Sequence, residues 1–236
     1  MTSSIIENPG LRNQTRVFQD REEAGVYLAK ALEELRGQDA IILAIPSGGV
    51  PIGLVLKSYL QLPFDLLIIR KIPIPGNPEA GFGALSFEGD MVLNEGLVHR
   101  LRLTTKEIEE EAELVRIELE RRNHLFREDR PWPDLKDRTV VLVDDGLASG
   151  YTMMAAAIMV RKRDPAKIII AVPTAPLNTL EMIETYVDKI VCFNVRNESH
   201  FAVAESYKNW HDLSREEVLA LLRQHGLIGR DTKQGK

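Results

Sequence analysis

Cysteine is almost missing from this chain. Cys192 is the only one in 236 residues, which excludes an intrachain disulfide and a cysteine-rich zinc site. It lies in the apolar run Ile190-Val191-Cys192-Phe193 and reads as a core residue. Long apolar stretches are missing too. None approaches the ~20 residues a membrane-spanning helix needs, so no membrane partner is expected. Positive charge is not in excess. A formal net charge of −5 does not suit a surface that coats nucleic acid, though it leaves room for a local basic pocket. Met1 to Gly10 lacks the basic-then-apolar pattern of a secretory leader, which makes the cytoplasm the expected location. His99, His124, His200, His211 and His225 show neither metal-ligand nor triad spacing and read as solvated or structural. Gly48, Gly49 and Gly53 do not fit the dinucleotide pattern G-x-G-x-x-G.

What is present suits a globular protein with a proper core: 44% apolar and 28% charged residues. Residues 1–236 read as one domain with an elaborated edge. Apolar runs at 41–45, 64–69, 140–143, 167–172 and 190–195 read as strands. Helical patterns at 21–36, 50–60, 153–160, 177–186 and 214–222 lie between or after them. This alternation predicts an α/β fold, with a mainly parallel central sheet and helices on both faces.

The most informative stretch is Val140-Val141-Leu142-Val143-Asp144-Asp145-Gly146-Leu147-Ala148-Ser149-Gly150-Tyr151-Thr152. A buried strand ends in two adjacent carboxylates, then a loop of small residues leads into a helix. A helix start offers free N–H groups and the positive end of a dipole, which together favour an anion. The carboxylates ahead of it would repel a bare phosphate but accept hydroxyl groups, and a sugar phosphate has both. Two blander readings stand beside this one. The carboxylates could cap the next helix of a Rossmann-like strand end. A phosphatase with an aspartyl nucleophile would want a second Asp where Gly146 stands.

Other stretches gather around the same chemistry. Pro46-Ser47-Gly48-Gly49 follows the first core strand, and paired glycines let backbone N–H groups approach a ligand. Arg70-Lys71 ends the run at 64–69, where α/β sheets bind ligands, although a solvated basic pair is the plain alternative. Residues 72–84 hold three prolines and three glycines and read as a long irregular loop. A hairpin across Glu88-Gly89-Asp90 would follow it. Thr104 and Glu107 form a capping box for a helix over 104–127, with Ile108, Ala112, Val115, Leu119 and Phe126 on one stripe. That stripe would lie on the domain or against a second subunit as a homodimer. Residues 194–213 are dense in aromatics, and Phe201 reads equally as a base platform or as a core residue of a short edge strand.

The 140–152 stretch resembles the PRPP-binding motif of type I phosphoribosyltransferases, with Ser149 standing for the first Thr of Thr-Gly-x-Thr. PRPP is 5-phosphoribosyl 1-diphosphate. The resemblance implies the phosphoribosyltransferase-like fold, a flexible loop and hairpin over 71–94, and a C-terminal hood over 194–213. It implies transfer of phosphoribose from PRPP to a nitrogenous base, purine-like, with release of pyrophosphate. Mg2+ would be held mostly by substrate and water, without a direct protein ligand. By the same resemblance, Ala148, Ser149, Gly150, Tyr151 and Thr152 hold the 5′-phosphate, and Asp144 and Asp145 hold the ribose hydroxyls. Ser47, Gly48 and Gly49 meet pyrophosphate, Arg70 and Lys71 share its charge, and Phe201 and Ala202 meet the base. Three residues depart from the pattern. Ser47 replaces an Arg common in close relatives. Ala148 replaces the Asp of hypoxanthine-guanine-type enzymes, as it does in adenine-type enzymes. Tyr151 takes the place of a small residue. No general base can be named, and a non-catalytic PRPP- or nucleotide-sensing protein is the alternative. The family's strained peptide in the pyrophosphate loop also raises the question of a cis bond between Ser47 and Gly48.

Overall fold

The computed structural model describes residues 4–197 and 201–229. In chain order, its elements begin with β1 (Ser4–Ile6), α1 (Arg21–Ala31), β2 (Ala40–Ala44), α2 (Gly49–Leu60) and β3 (Phe64–Leu66). An excursion follows: β4 (Ile69–Ile74), β5 (Asn77–Ser86), β6 (Met91–Leu93), α3 (Glu95–Leu101) and α4 (Thr105–Arg127). The chain returns through β7 (Thr139–Val143), α5 (Tyr151–Arg161), β8 (Lys167–Pro176), α6 (Leu177–Ile183), β9 (Lys189–Arg196) and α7 (Arg215–Gln224).

Strands without polar interruption need cover on both faces, and here they receive it. Six parallel strands run in the order β1-β9-β8-β7-β2-β3. Side chains alternate along each strand, so two cores form. Ile42, Ala44, Val141 and Val143 point into one core with α1 and α2; Ile41, Leu43, Val140 and Leu142 point into the other with α5. Cys192 is buried in the second. Ala44 pairs with Val143, so β2 and β7 end side by side. From β2 the chain moves outward to β3, and from β7 it moves the opposite way to β8. This is the reversal of strand order at which α/β sheets place their ligands.

Three expectations need correction. The run at 64–69 is not one strand. It leaves the parallel sheet after Leu66, and Ile69 already belongs to a separate antiparallel sheet, β4-β5-β6. A continuous apolar run does not say which sheet owns each residue. Arg70 and Lys71 therefore sit within β4, not at the end of a central strand. Residues 72–84 are not an irregular loop, because β4 runs to Ile74 and β5 spans Asn77–Ser86. The glycines are what let its neighbours come close: a Cβ on Gly83 would stand 2.7 Å from the carbonyl oxygen of Val92. Pro73, which has no N–H to give, lies where the β4–β5 register shifts. Finally, residues 201–204 form no edge strand. Val203–Ser206 is a 3₁₀ turn, and the outer strand beside β9 is β1, a pairing the sequence did not signal.

The hairpin across 88–90 is present, with Gly83 opposite Leu93 and Leu85 opposite Met91. The capping box at Thr104 is complete: Glu107 N–H donates to the Thr104 hydroxyl at 3.2 Å, and Thr104 N–H donates to Glu107 at 2.8 Å. Replacing Thr104 with Ala is expected to cost about 1 kcal/mol of unfolding free energy in denaturant titration, and Thr104→Ser a few tenths. Ala112, Val115, Leu119 and Phe126 are buried against the domain, Ile108 is half-buried, and Leu114 and Ile117 face outward. Among the described residues, no helix is long and apolar enough to cross a membrane.

Candidate functional site

β7 delivers Asp144 and Asp145 to the strand-order reversal. Asp144 Oδ1 accepts the N–H of Asp145 at 2.9 Å. Asp145 Oδ2 accepts from Arg21 Nε at 2.9 Å, and the Asp145 carbonyl accepts the Tyr207 hydroxyl at 2.6 Å. The pair is electrostatically strained. Burial first, and then the charge of Asp145, push the Asp144 carboxyl well above the usual aspartate range. Burial also pushes Asp145 upward, against the opposing pull of Arg21. The Tyr207 phenol is raised by burial and by Asp145.

The loop after the pair is held from beneath. Gly150 has φ +74°, and a Cβ there would stand 2.5 Å from the Thr179 side chain. The Thr179 hydroxyl donates to the carbonyl of Ala148 at 2.8 Å. Ala148 and Ser149 are exposed, Gly150 is buried, and Tyr151 and Thr152 are half-buried. No side chain caps α5, so the N–H groups of its first turn remain available to an anion.

The Ser47–Gly49 turn comes to the same place from β2. It carries a cis peptide between Pro46 and Ser47, one bond earlier than the Ser47–Gly48 bond considered from the sequence. A Cβ on Gly48 would stand 2.0 Å from Asp145 Oδ2, and one on Gly49 would stand 2.5 Å from the carbonyl oxygen of Val143. The two loops are thus packed backbone against carboxylate, and α2 also begins without a side-chain cap. Beside the Ala148 loop opens a cavity of about 790 Å³, lined by Ala148, Ser149, Tyr151, Asn178, Arg196 and Phe201 among others. Phe201 is half-buried, with its ring over the Arg196 guanidinium at 5.4 Å. Ala202 is exposed and outside the lining.

Arg70 and Lys71 do not behave as a pair, because neighbours in a strand face opposite ways. Arg70 Nη1 donates to Glu118 of α4 at 3.4 Å, and Arg121 and Arg122 share the same carboxylate. Burial and Arg122 lower the Arg70 pKa. Lys71 packs beside Gly81, and neither residue lines the cavity. Of the histidines, His124 pairs with Asp129, His211 with Glu217, and His225 with the Leu221 carbonyl. His200 and residues 230–236 of the tail lie outside the described residues.

The sequence reading overlooked Arg21 and gave Tyr207 and Trp210 no specific part. One signal was available for Arg21: a cation in the first turn of α1 opposes the helix dipole, so it needs another reason to be there. The segment after β9 is fastened by a buried polar group. Ser206 Oγ donates to Asn194 Oδ1 at 2.9 Å, and Thr174 Oγ1 donates to it at 2.7 Å.

Residues 19–210 match the model of the phosphoribosyl transferase domain. A Mycobacterium tuberculosis H37Rv protein named "Putative phosphoribosyl transferase Rv0571c" is 36% identical over 207 residues, 88% of this chain and 46% of that protein. A counterpart from strain CDC 1551, "Putative phosphoribosyl transferase MT0597", matches over the same shares. The chain thus spans about half the length of these curated relatives. The crystal structure of TT1426 from Thermus thermophilus superposes with a TM-score of 0.74 at 33% identity, covering 88% of this chain and 98% of that one.

Proposed function

The chain belongs to the phosphoribosyl transferase family, and on that premise we propose that it moves the 5-phosphoribosyl group of PRPP to a nitrogenous, purine-like base in the cytoplasm. One observation carries this reading. Two uncapped helix starts meet at the strand-order reversal with an acidic pair between them. That arrangement suits a ligand with phosphate at each end and hydroxyls in the middle.

In the reaction, a ring nitrogen of the base attacks the anomeric carbon. The bond from that carbon to diphosphate breaks, and its electron pair leaves with pyrophosphate. Positive charge grows on the sugar, as in glycoside chemistry. Asp144 and Asp145 would accept hydrogen bonds from the ribose hydroxyls and favour that charge. Ala148 to Thr152 would hold the 5′-phosphate through N–H groups and the hydroxyls of Ser149 and Thr152. Ser47 and Gly48 would offer N–H groups to pyrophosphate, while the Gly49 N–H is given to the Ile45 carbonyl at 3.0 Å and Gly49 would serve by its lack of a side chain. Magnesium, when bound with the substrate, would supply positive charge toward the leaving group, with substrate and water rather than a side chain of this protein as its main ligands. Phe201, which lines the cavity beside the Ala148 loop, would meet the base, whereas Ala202 lies outside the lining and would meet it only through its backbone. Arg70 and Lys71, at the root of the β4–β5 hairpin, would reach pyrophosphate only as the hairpin closes. A homodimer would use the outward Leu114 and Ile117 of α4.

The sensing alternative has its own support, since Ser47 brings no cation and Arg70 is engaged by Glu118. A panel of bases and amines with PRPP and magnesium, read by pyrophosphate release, separates the two. Release that depends on one acceptor is expected. Binding of PRPP by calorimetry with silence across the panel would favour sensing, and no binding at all would overturn both.

A further inference from the structure

We infer that Arg21 is a positioning residue for the acidic pair and that it ties the C-terminal segment to the ribose-binding carboxylates. The inference rests on the reading of Asp145 as a ribose ligand. Its basis is where the guanidinium sits. Nε donates to Asp145 Oδ2 at 2.9 Å, and Nη1 donates to the His211 carbonyl at 3.0 Å. The flat face lies against Trp210, 3.9 Å from the ring centroid. The Arg21 side chain is 8% exposed, so this is a built, desolvated contact and not a surface pair.

The other side of Asp145 is equally confined. Its Oδ2 fills the space where a side chain on Gly48 would begin, and Tyr207 holds its carbonyl. The carboxylate therefore has one orientation, set by Arg21 on one flank and the pyrophosphate turn on the other. A buried ion pair is weak grounds for stability, since an apolar pair of equal size often does as well. Holding a ligand-facing carboxylate ionised and oriented is a different task, and it does need the cation. Lysine could supply the charge. It could not supply two divergent N–H donors and a flat face together.

The charged and titratable groups facing Asp145 are Asp144 beside it, Arg21 from α1, and Tyr207 from the segment after β9. His211 offers Arg21 only its carbonyl, because its ring bonds to Glu217. Without Arg21 the pair keeps its mutual repulsion and loses its nearest cation, so it holds protons to higher pH.

The test compares the full-length parent with Arg21→Met, Arg21→Lys and Trp210→Leu, using calorimetry with PRPP and magnesium at about pH 6.5 and about pH 9. Arg21→Met is expected to weaken binding about 10- to 100-fold at the lower pH, the value of a hydrogen bond to a charged group. Part of that loss should return at the higher pH, and Arg21→Lys should fall between. Trp210→Leu leaves the charges intact, loosens the guanidinium, and should cost about three- to tenfold. It decides the matter if Arg21→Met does not fold. Binding by folded Arg21→Met within twofold of the parent would overturn the inference. So would a loss that neither pH nor lysine restores. A parent that does not bind PRPP sinks the functional reading itself, and with it this inference.

Discussion

Replacing Arg127 with methionine is expected to lower the free energy of unfolding by about 3–5 kcal/mol, seen as a fall in the denaturant midpoint. The Arg127 side chain is fully buried at the end of α4. Nε and Nη2 donate to the two oxygens of Asp65 on β3 at 3.0 and 2.8 Å. Nη1 donates to Asn123 at 3.0 Å, and Nη2 also donates to the Pro131 carbonyl at 3.1 Å. The guanidinium lies over Phe87 and Trp132, whose rings stack on each other at 5.9 Å. One side chain thus joins the central sheet, the long helix, the end of β5 and the segment returning to β7. Removing it strands the Asp65 carboxylate in the core. The cost comes from that stranding more than from the lost pair, so Arg127→Met with Asp65→Leu should recover most of it. A loss below about 1 kcal/mol in the single variant would mean that Arg130, 3.6 Å from Asp65, takes over.

Arg127 also shows where sequence reasoning stops. Asp65 is a carboxylate inside the apolar run Phe64-Asp65-Leu66-Leu67, a signal that the reading of this run as a plain strand passed over. Its partner offers no such signal, because α4 carries several arginines and nothing local marks the buried one. The parallel strands were legible because both of their faces are buried, and continuous apolar runs report that directly. The 140–152 stretch was legible because a strand, a carboxylate pair and a helix start are consecutive. The β4–β5 pairing was hidden because prolines and glycines read as breakers, while in the structure those glycines admit neighbouring backbone. The Arg21–Asp145–Tyr207–Trp210 group was hidden for a further reason. Its members come from the two ends of the chain and the middle, and only tertiary packing brings them together.

Asp144→Asn is expected to weaken PRPP binding while making the protein more stable. The two carboxylates are unequal. Asp145 has Arg21, whereas Asp144 has burial and a like charge beside it. A carboxyl whose folded pKa is raised favours folding when protonated. Its contribution is complete below the ordinary aspartate value and is lost as pH rises through the folded one. Above the ordinary aspartate range the buried Asp144 carboxyl therefore opposes folding, and Asn removes that opposition. Relief of a strained functional group is worth about 1 kcal/mol, or about 2–4 °C in Tm for a chain of this size. The fall in parent stability as pH rises above the ordinary aspartate range should flatten in the variant. Affinity for PRPP with magnesium should drop about 10- to 100-fold, because the amide keeps the shape and loses the charge that strengthens the bond to a ribose hydroxyl. Asp145→Asn should behave differently, losing binding and stability together, since it leaves the Arg21 guanidinium buried without its anion. The contrast between the two neighbours is the test. If Asp144→Asn also lowers Tm, the carboxylate serves the loop that follows, through its bond to the Asp145 N–H. If it raises Tm and leaves PRPP affinity unchanged, the ribose is held elsewhere.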